Sequence, residues 1–313
     1  MRPILIGIAY LKMIGNLYTP ARGLFVMLLA MLLVLLFSQQ KPLKYQGPQI
    51  NLSDYRLLKG AIPIQGTSKN ASGLTYNPDS KSLFVVINDP PKILELDTLG
   101  KTLREIRLLG FGDTEGIIYL GNHLFALTEE RKRHITYINI FETTTRVDYH
   151  KVQSFQVLAS KEQNNKGLEG LTYDLRYKHF YTVNEKRPRQ LLAVPDPQLA
   201  PVPLKHRELW DIEQHSMKLA DLAGIHLDYK SGNLLLLSEE SKLIVETTLD
   251  GKSISYLDLS ANHSGLTHSI HQPEGITMDD QDRLYICSEP NLLYIFEKKK
   301  LPNQFGELHL SMN

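Results

Sequence analysis

Leu168-Glu169-Gly170-Leu171-Thr172-Tyr173 is the segment that decides the fold, because its pattern recurs along the chain. A glycine opens a short hydrophobic strand, and a small polar residue with a carboxylate, here Asn184-Glu185, closes the next strand. The openings are centred on five glycines that lie 43, 54, 54 and 51 residues apart: Gly73, Gly116, Gly170, Gly224 and Gly275. Self-similarity at about this period, with short strands between turn signals, is typical of β-propeller blades.

Further apolar segments follow each motif and complete a unit of four strands. In the first repeat they span residues 74–76, 83–87, 93–96 and 103–108, with turn residues between them. We therefore predict an all-β fold, a β-propeller of four-stranded antiparallel blades. The repeats favour five blades. Residues 55–64 either complete the last blade or begin a degenerate sixth, so six blades remain open.

Composition limits the classes of protein that the chain can represent. Its 313 residues, 42% of them hydrophobic, are enough for one large all-β domain. The net charge of +1 and the lack of zinc-finger spacing, RNA-binding signatures or a basic helix predict no nucleic-acid partner. Cys287 is the single cysteine, so an internal disulfide is excluded, and its apolar surroundings in sequence predict a small buried side chain.

The N-terminal part carries a targeting signal. Residues 24–37 are fourteen consecutive apolar positions with basic residues upstream, and tolerable flanks bring the segment near spanning length. No small-x-small cleavage site follows it. We predict an uncleaved transmembrane signal anchor at residues 24–38, a cytoplasmic segment at 1–23, a linker at 39–53 and an exported propeller at 54–313. A cleaved signal peptide is the alternative.

The motif also predicts where its acidic residues gather. In an up-and-down blade, the first strand begins and the second strand ends at the same edge. Because the first strand is innermost, both motif ends should surround one mouth of the central channel. The predicted metal ligands are the carboxylates at these ends: Glu115, Glu169, Glu274, Asp89, Glu129, Glu185, Glu239 and Glu289.

Such a ring of carboxylates has three interpretations. Clustered acids raise one another's pKa unless a cation neutralises them, and oxygen ligands in a flexible ring suit Ca²⁺. Alternatively, the basic residues that follow the acids in sequence form ion pairs with them. In the third interpretation the Glu-Gly pairs cap backbone amides, and glycine is needed only for its backbone conformation.

Basic residues close to the motifs predict a ligand of opposite charge. Arg131, Arg133, Lys186 and Arg189 follow closing carboxylates and suit a small anionic ligand. His271 precedes the fifth motif and is predicted on the same channel face, where a histidine can also act as a general acid or base. The sequence contains no Gly-x-Ser-x-Gly elbow, His-Glu-x-x-His motif or phosphate-binding glycine loop.

Several of these segments, in order, resemble a known family. They are Asp113-Thr114-Glu115-Gly116-Ile117, the segment at 167–173, Asp221-Leu222-Ala223-Gly224-Ile225 and Gln272-Pro273-Glu274-Gly275-Ile276. Over residues 54–296 the chain resembles the SdiA-regulated, YjiK-like family of bacterial envelope propellers. The resemblance implies a membrane-associated propeller without an assigned activity. Together with the predicted anchor and basic residues, we expect a single-pass protein of the bacterial inner membrane, with its propeller in the periplasm and an envelope protein or small anionic ligand as its partner.

A more distant resemblance concerns the possible chemistry. The chain is similar to calcium-dependent phytase-like propellers, whose acidic rings hold Ca²⁺ and a phosphoester. It departs from them at Ser72 and Ala223, which stand where two of the five opening carboxylates would be. We therefore expect a membrane-anchored binding module with an acidic, Ca²⁺-binding channel mouth. A calcium-dependent phosphoesterase or esterase is the alternative.

Overall fold

A computed structural model describes residues 47–157, 167–185, 188–199, 207–212, 217 and 219–299. Within these ranges the regular structure is β-sheet, with two short 3-10 turns at Leu52–Asp54 and Tyr149–Lys151. The predicted anchor at 24–38 lies outside the described residues. Among the residues that are described, no helix is long and apolar enough to cross a membrane.

In the described ranges, twenty-one strands form five sheets. The chain starts with β1 (Tyr55–Pro63) and then builds blade 1 from β2 (Ala71–Asn77), β3 (Ser82–Ile87), β4 (Lys92–Asp97) and β5 (Thr102–Leu109). Blade 2 contains β6 (Thr114–Gly121), β7 (Leu124–Glu129), β8 (His134–Asn139) and β10 (Gln153–Gln156). Between β8 and β10, the short β9 (Arg146–Asp148) pairs in parallel with β5 and extends blade 1.

The remaining three blades follow the same order. Blade 3 contains β11 (Leu168–Asp174), β12 (His179–Asn184), β13 (Gln190–Pro195) and β14 (Arg207–Asp211). Blade 4 contains β15 (Gly224–Leu227), β16 (Leu234–Ser238), β17 (Leu243–Thr247) and β18 (Ser253–Asp258). Blade 5 contains β19 (Pro273–Met278), β20 (Leu284–Ser288) and β21 (Leu292–Lys298), and β1 is its fourth strand.

The pairing of β1 with β21 closes the propeller. Tyr55 is the partner of Lys298 and Pro63 is the partner of Leu292, so the first described strand completes the sheet built by the last ones. Residues 55–64 therefore complete the last blade, and the prediction of five four-stranded antiparallel blades is confirmed. Because strands from the two ends of the described chain share one sheet, the hydrogen bonds between them close the ring of blades.

The chain before β1 is also packed on the propeller. Ile50 and Leu52 are buried in the core between blades 4 and 5. The Glu246 carboxylate accepts hydrogen bonds from the backbone N–H groups of Ile50 at 2.7 Å and Asn51 at 3.0 Å. The described chain therefore packs on the propeller before its first strand begins.

Five glycines, called the ring glycines below, bring the innermost strands together at the axis. A Cβ atom added to any of them would lie 2.2 to 2.7 Å from a backbone atom of the next blade: Gly73, Gly116, Gly170, Gly224 and Gly275. Their φ angles are not in the left-handed region. The interpretation that glycine serves only backbone conformation is therefore wrong, because close approach of neighbouring strands excludes a side chain there.

Hydrophobic side chains fill the spaces between successive blades. Between blades 1 and 2, for example, Phe84 packs on Phe125 with ring centroids 4.7 Å apart. Cys287 is buried between blades 5 and 1, in agreement with the sequence-based prediction of a small interior side chain. These interfaces hold the five sheets around one channel, which fixes where the motif ends lie.

Candidate metal site at the acidic channel mouth

The openings of the five motifs surround one cavity. It has a volume of about 400 Å³ and lies where the innermost strands begin. The residue before each ring glycine lines it: Ser72, Glu115, Glu169, Ala223 and Glu274. The structure thus brings the three predicted opening glutamates together at one mouth of the channel.

The register of the hairpins determines a second ring of side chains. In four blades the residue two positions before the glycine pairs with the last residue of the second strand: Ala71 with Ile87, Thr114 with Glu129, Leu168 with Asn184, and Pro273 with Ser288. The residue that follows the second strand lines the cavity in all five blades: Asn88, Glu130, Glu185, Glu239 and Glu289.

Two predicted ligands, Asp89 and Glu129, are not in this ring. Asp89 lies one residue beyond the ring position held by Asn88, and its side chain is 66% exposed and paired with Lys69 at 2.9 Å. Glu129 is fully buried on the other side of its strand, where Lys132 contacts it at 2.6 Å and Thr136 at 2.9 Å. The predicted placement of both at the mouth is therefore corrected. Successive side chains of a strand point to opposite faces, so the neighbour Glu130 faces the cavity instead.

Sequence reasoning missed Asp113, Glu130 and Asp221. Glu130 is adjacent to the predicted Glu129, and counting along the hairpin from Gly116 identifies it. Asp221 lines the same cavity in the blade whose opening residue is Ala223. Asp113 precedes β6, and its carboxylate joins the site from the side of blade 1.

Two sets of three carboxylates meet at Glu130. Ligand oxygens of Asp113, Glu115 and Glu130 all lie within 4.8 Å of one another, and the same is true of Glu130, Glu169 and Glu185. Distances of this order allow one cation to contact three carboxylates at once. Hard oxygen donors of this kind fit Ca²⁺, which accepts six to eight oxygens in flexible geometry. The donor set therefore fits the predicted ion.

Burial and mutual repulsion make these carboxylates unusually basic. Loss of solvent, together with the charges of neighbouring acids, raises the pKa of Glu115 to about 8, of Glu130 to about 7 and of Glu274 to about 9. The pKa of Glu169 is also well above its usual range, for the same two reasons. Without a cation, the cluster therefore holds protons at neutral pH.

Hydrogen bonds to the backbone position the acids. The Thr128 hydroxyl accepts the N–H of Gly116 at 2.6 Å and donates to the carbonyl of Glu169 at 2.8 Å, which joins blades 2 and 3 beside the cavity. The Glu130 carboxylate accepts the N–H of Gly167 at 3.0 Å. The Asn88 amide donates to the Glu115 carboxylate. The ligand cluster is thus held by rigid strands of several blades.

None of the predicted ligand-binding basic residues that the structure describes lines the cavity. Arg131 pairs with Asp113 at 2.8 Å, and Arg189 donates to the carbonyl of Leu219 at 2.6 Å. Neither these residues nor Arg133 and His271 line the cavity, and His271 is exposed. Lys186 lies outside the described residues.

Ion pairing explains part of the cluster only. Lys242 pairs with Glu239 at 2.8 Å, which agrees with the second interpretation for this blade. Within the described part of the chain, no basic side chain pairs with Glu115, Glu169 or Glu274. Three central carboxylates thus have no described cation beside them, and two of these, Glu115 and Glu169, belong to the sets of three that favour a metal ion.

Fold and site together define a five-bladed β-propeller with an acidic channel mouth. The chain belongs to the SdiA-regulated family, whose model matches residues 48–297. This confirms the family suggested by the motif segments.

Solved structures with a similar fold are distant in sequence. A gluconolactonase from Xanthomonas campestris is 12% identical, with 78% of this chain and 91% of that chain covered and a TM-score of 0.49. A luciferin-regenerating enzyme is 11% identical, with 77% and 94% covered and a TM-score of 0.49. A nidogen/laminin complex is 15% identical, with 71% and 73% covered and a TM-score of 0.47. At these identities and TM-scores, nothing about the activity or ligand of this protein follows from the likeness.

Proposed function

We propose that this protein is a binding module whose acidic mouth holds Ca²⁺ and, through it, an anionic ligand or an envelope protein. The observation that carries the proposal is the position of Glu130, which belongs to both sets of three carboxylates within 4.8 Å. A cation there offsets the repulsion that otherwise keeps these acids protonated. The cavity, at about 400 Å³, leaves room for a ligand group on the cation.

A thermal melt of the full chain with Ca²⁺, with Mg²⁺ and with chelator tests this proposal. A ligand at 100 times its dissociation constant stabilises the native state by about 2.7 kcal/mol, which corresponds to roughly 5 °C for a domain of this size. We expect this shift with Ca²⁺ in the natural protein and in Glu129→Gln, and its loss in Glu130→Gln. Equal responses of the two variants would refute the site.

Catalysis is the second candidate function, and one observation favours it. Glu274 lines the same cavity but lies outside both ligand sets, and burial beside Glu115 raises its pKa to about 9. A carboxylic acid that keeps its proton at neutral pH suits a general acid beside a metal-bound phosphoester. We would measure Ca²⁺-dependent hydrolysis of nitrophenyl phosphate and nitrophenyl acetate. Hydrolysis that is lost in Glu274→Gln, while the Ca²⁺-induced rise in melting temperature is kept, would support an enzyme. Absence of hydrolysis would leave the binding module as the proposed function.

We also propose that residues 24–38 anchor the protein in the bacterial inner membrane with the propeller in the periplasm. Fourteen consecutive apolar residues at 24–37 support this proposal. Carbonate extraction should leave the full chain in the membrane pellet, and protease added outside the inner membrane should degrade the propeller. Release by carbonate, or complete protection from the protease, would contradict it.

A further inference from the structure

The opposite end of the channel carries a second cavity with different chemistry. It has a volume of about 360 Å³ and lies where the innermost strands end, with all five blades contributing to its wall. Much of the wall is apolar or aromatic, and the principal side chains are Tyr76, Tyr119, Leu120, Leu175, Tyr229 and Met278. This composition contrasts with the carboxylates of the acidic mouth.

The tyrosine hydroxyl groups of this wall already have protein partners. The Tyr76 hydroxyl donates to the carboxylate of Asp280 at 2.7 Å. The Tyr119 hydroxyl donates to the carboxylate of Asp79, and that of Tyr229 to a backbone carbonyl of blade 3. Since these polar groups are satisfied, the rings are the part of each tyrosine that remains for a ligand.

His226 is a polar residue of this wall without a protein partner in the described structure. It lies on β15 and is partly buried, and no hydrogen bond to its imidazole is formed within the described residues. Desolvation lowers its pKa to about 4 against the opposing charge of Asp228, so the ring is neutral at pH 7. A neutral imidazole offers one donor and one acceptor. Because the ring is only partly buried and its nitrogens have no partner among the described residues, both are available to a polar group of a molecule in the cavity.

The charges around this mouth restrict the ligand. Four carboxylates lie in the wall, Asp79, Asp228, Asp279 and Asp280, whereas its single described cation, Lys230, is paired with Asp282. An anion would be repelled. Each wall carboxylate already has a protein partner, so none needs a ligand as its hydrogen-bond donor: Asp79 and Asp280 accept tyrosine hydroxyls, Asp228 accepts the Ser231 hydroxyl and Asp279 pairs with Arg283.

Apolar side chains are also exposed at the rim. Leu175 is 49% exposed and Tyr229 is 47% exposed, although both line a concave surface. Exposed apolar surface around a cavity marks a binding site more often than a structural one, because folding alone gains nothing from it.

We propose that this apolar mouth is a second ligand site, which takes an uncharged, mainly apolar small molecule with one hydroxyl or similar group bound by His226. The volume corresponds to the lower end of small-molecule pockets, so a molecule of one or two rings fits. The site is separate from the acidic mouth and does not depend on a cation there.

Methyl resonances of methionine provide a local test in the full chain. Met278 lies in the wall of this cavity, whereas Met217 is buried in the core between blades 3 and 4 and serves as an internal control. We would label the methionine methyl groups with ¹³C, identify both signals by Met278→Leu and Met217→Leu, and titrate with 2-naphthol. We expect a saturable shift of the Met278 signal alone. Its absence, or an equal shift of Met217, would overturn the proposal.

Matched probes and variants test the role of His226. We expect 2-methylnaphthalene, which lacks the hydroxyl group, to bind about 3- to 10-fold more weakly than 2-naphthol, as loss of one net hydrogen bond predicts. Naphthalene-2-carboxylate should not bind. In His226→Phe the two neutral probes should become equal, and Leu175→Glu at the exposed rim should weaken both. An unchanged preference for the hydroxyl group in His226→Phe would overturn the assignment.

Discussion

A Cβ atom placed on Gly73 would lie 2.2 Å from the carbonyl oxygen of Glu115 on the neighbouring blade. The backbone contact that closes the ring therefore also positions the residue that carries a cavity carboxylate. The same relationship holds between Gly116 and Glu169 and between Gly224 and Glu274, with distances of 2.6 Å. The packing of the innermost strands at these glycines therefore both closes the propeller and positions the carboxylates of the acidic mouth.

Substitution of a ring glycine should destabilise the propeller. In Gly73→Ala the new methyl group meets backbone that cannot move without displacing blade 2, so we expect a loss of about 3 kcal/mol or more in the free energy of unfolding. Gly112→Ala is the control, because nothing lies within 4 Å of its added Cβ. Urea denaturation measures both. Similar stability of the two variants would mean that the blades adjust freely at the axis.

The stability of the metal-free protein should fall as pH rises. The pKa values of Glu130, Glu115 and Glu274 are raised from 4.5 to about 7, 8 and 9, so the folded state binds more protons than the unfolded state in this range. The free energy of unfolding should therefore decrease from about pH 5 to about pH 9, by ~1.4 kcal/mol per pH unit for each excess proton.

Denaturation with chelator at several pH values measures this dependence. Glu274→Gln should make the free energy of unfolding less dependent on pH, since it removes the carboxyl group with the highest of the three pKa values. Saturating Ca²⁺ should flatten the curve, because a bound cation replaces the protons. Stability that increases over this window would show that the acids are ionised and paired in the folded state.

Glu129 should contribute to stability rather than to binding. Its buried carboxylate pairs with Lys132 and accepts a hydrogen bond from Thr136. Glu129→Gln removes the charge from these contacts and should lower the free energy of unfolding by about 1.5–3 kcal/mol. Asp89→Asn, at the exposed Asp89–Lys69 pair, is the control and should cost no more than about 1 kcal/mol. Equal effects in urea denaturation would contradict this distinction.

Glu246 should hold the chain before β1 on the propeller. Besides Ile50 and Asn51, its fully buried carboxylate accepts hydrogen bonds from Asn233 at 2.8 Å and Ser255 at 2.5 Å. Glu246→Ala leaves these donors without an acceptor, each at a cost of about 1–3 kcal/mol. We expect a loss of at least about 3 kcal/mol and faster amide exchange at Ile50. Unchanged exchange at this residue would show that other contacts hold the segment.

Much of the fold could be predicted from local pattern. The ring glycines and the alternating apolar segments identified the inner, second and third strands, because turn chemistry and hydrophobic periodicity act over a few residues. The completion of blade 5 by β1 was one of two possibilities, since pairing across the whole chain leaves no local signal. The fourth strand of blade 3, β14, follows a long insertion and was not predicted for the same reason.

The candidate site was predicted with an error of one residue in two blades. Matching acids by residue type selected Asp89 and Glu129, whereas hairpin register places Asn88 and Glu130 in the ring. A shift of one residue along a strand moves a side chain to the opposite face, so residue type alone does not decide which acid faces the channel.

The amino-acid sequence alone determined the type of blade, because each repeat encodes its own strands and turns through local chemistry, whereas the pairing of β1 with β21 decided that there are five blades. The tertiary structure alone decided that Asp113 and Glu185, 72 positions apart in the sequence, both join sets that contain Glu130. It also decided that His226 faces an apolar cavity at the other mouth. Such neighbours come from different blades, and packing around a common axis, rather than any property of a single repeat, brings them together.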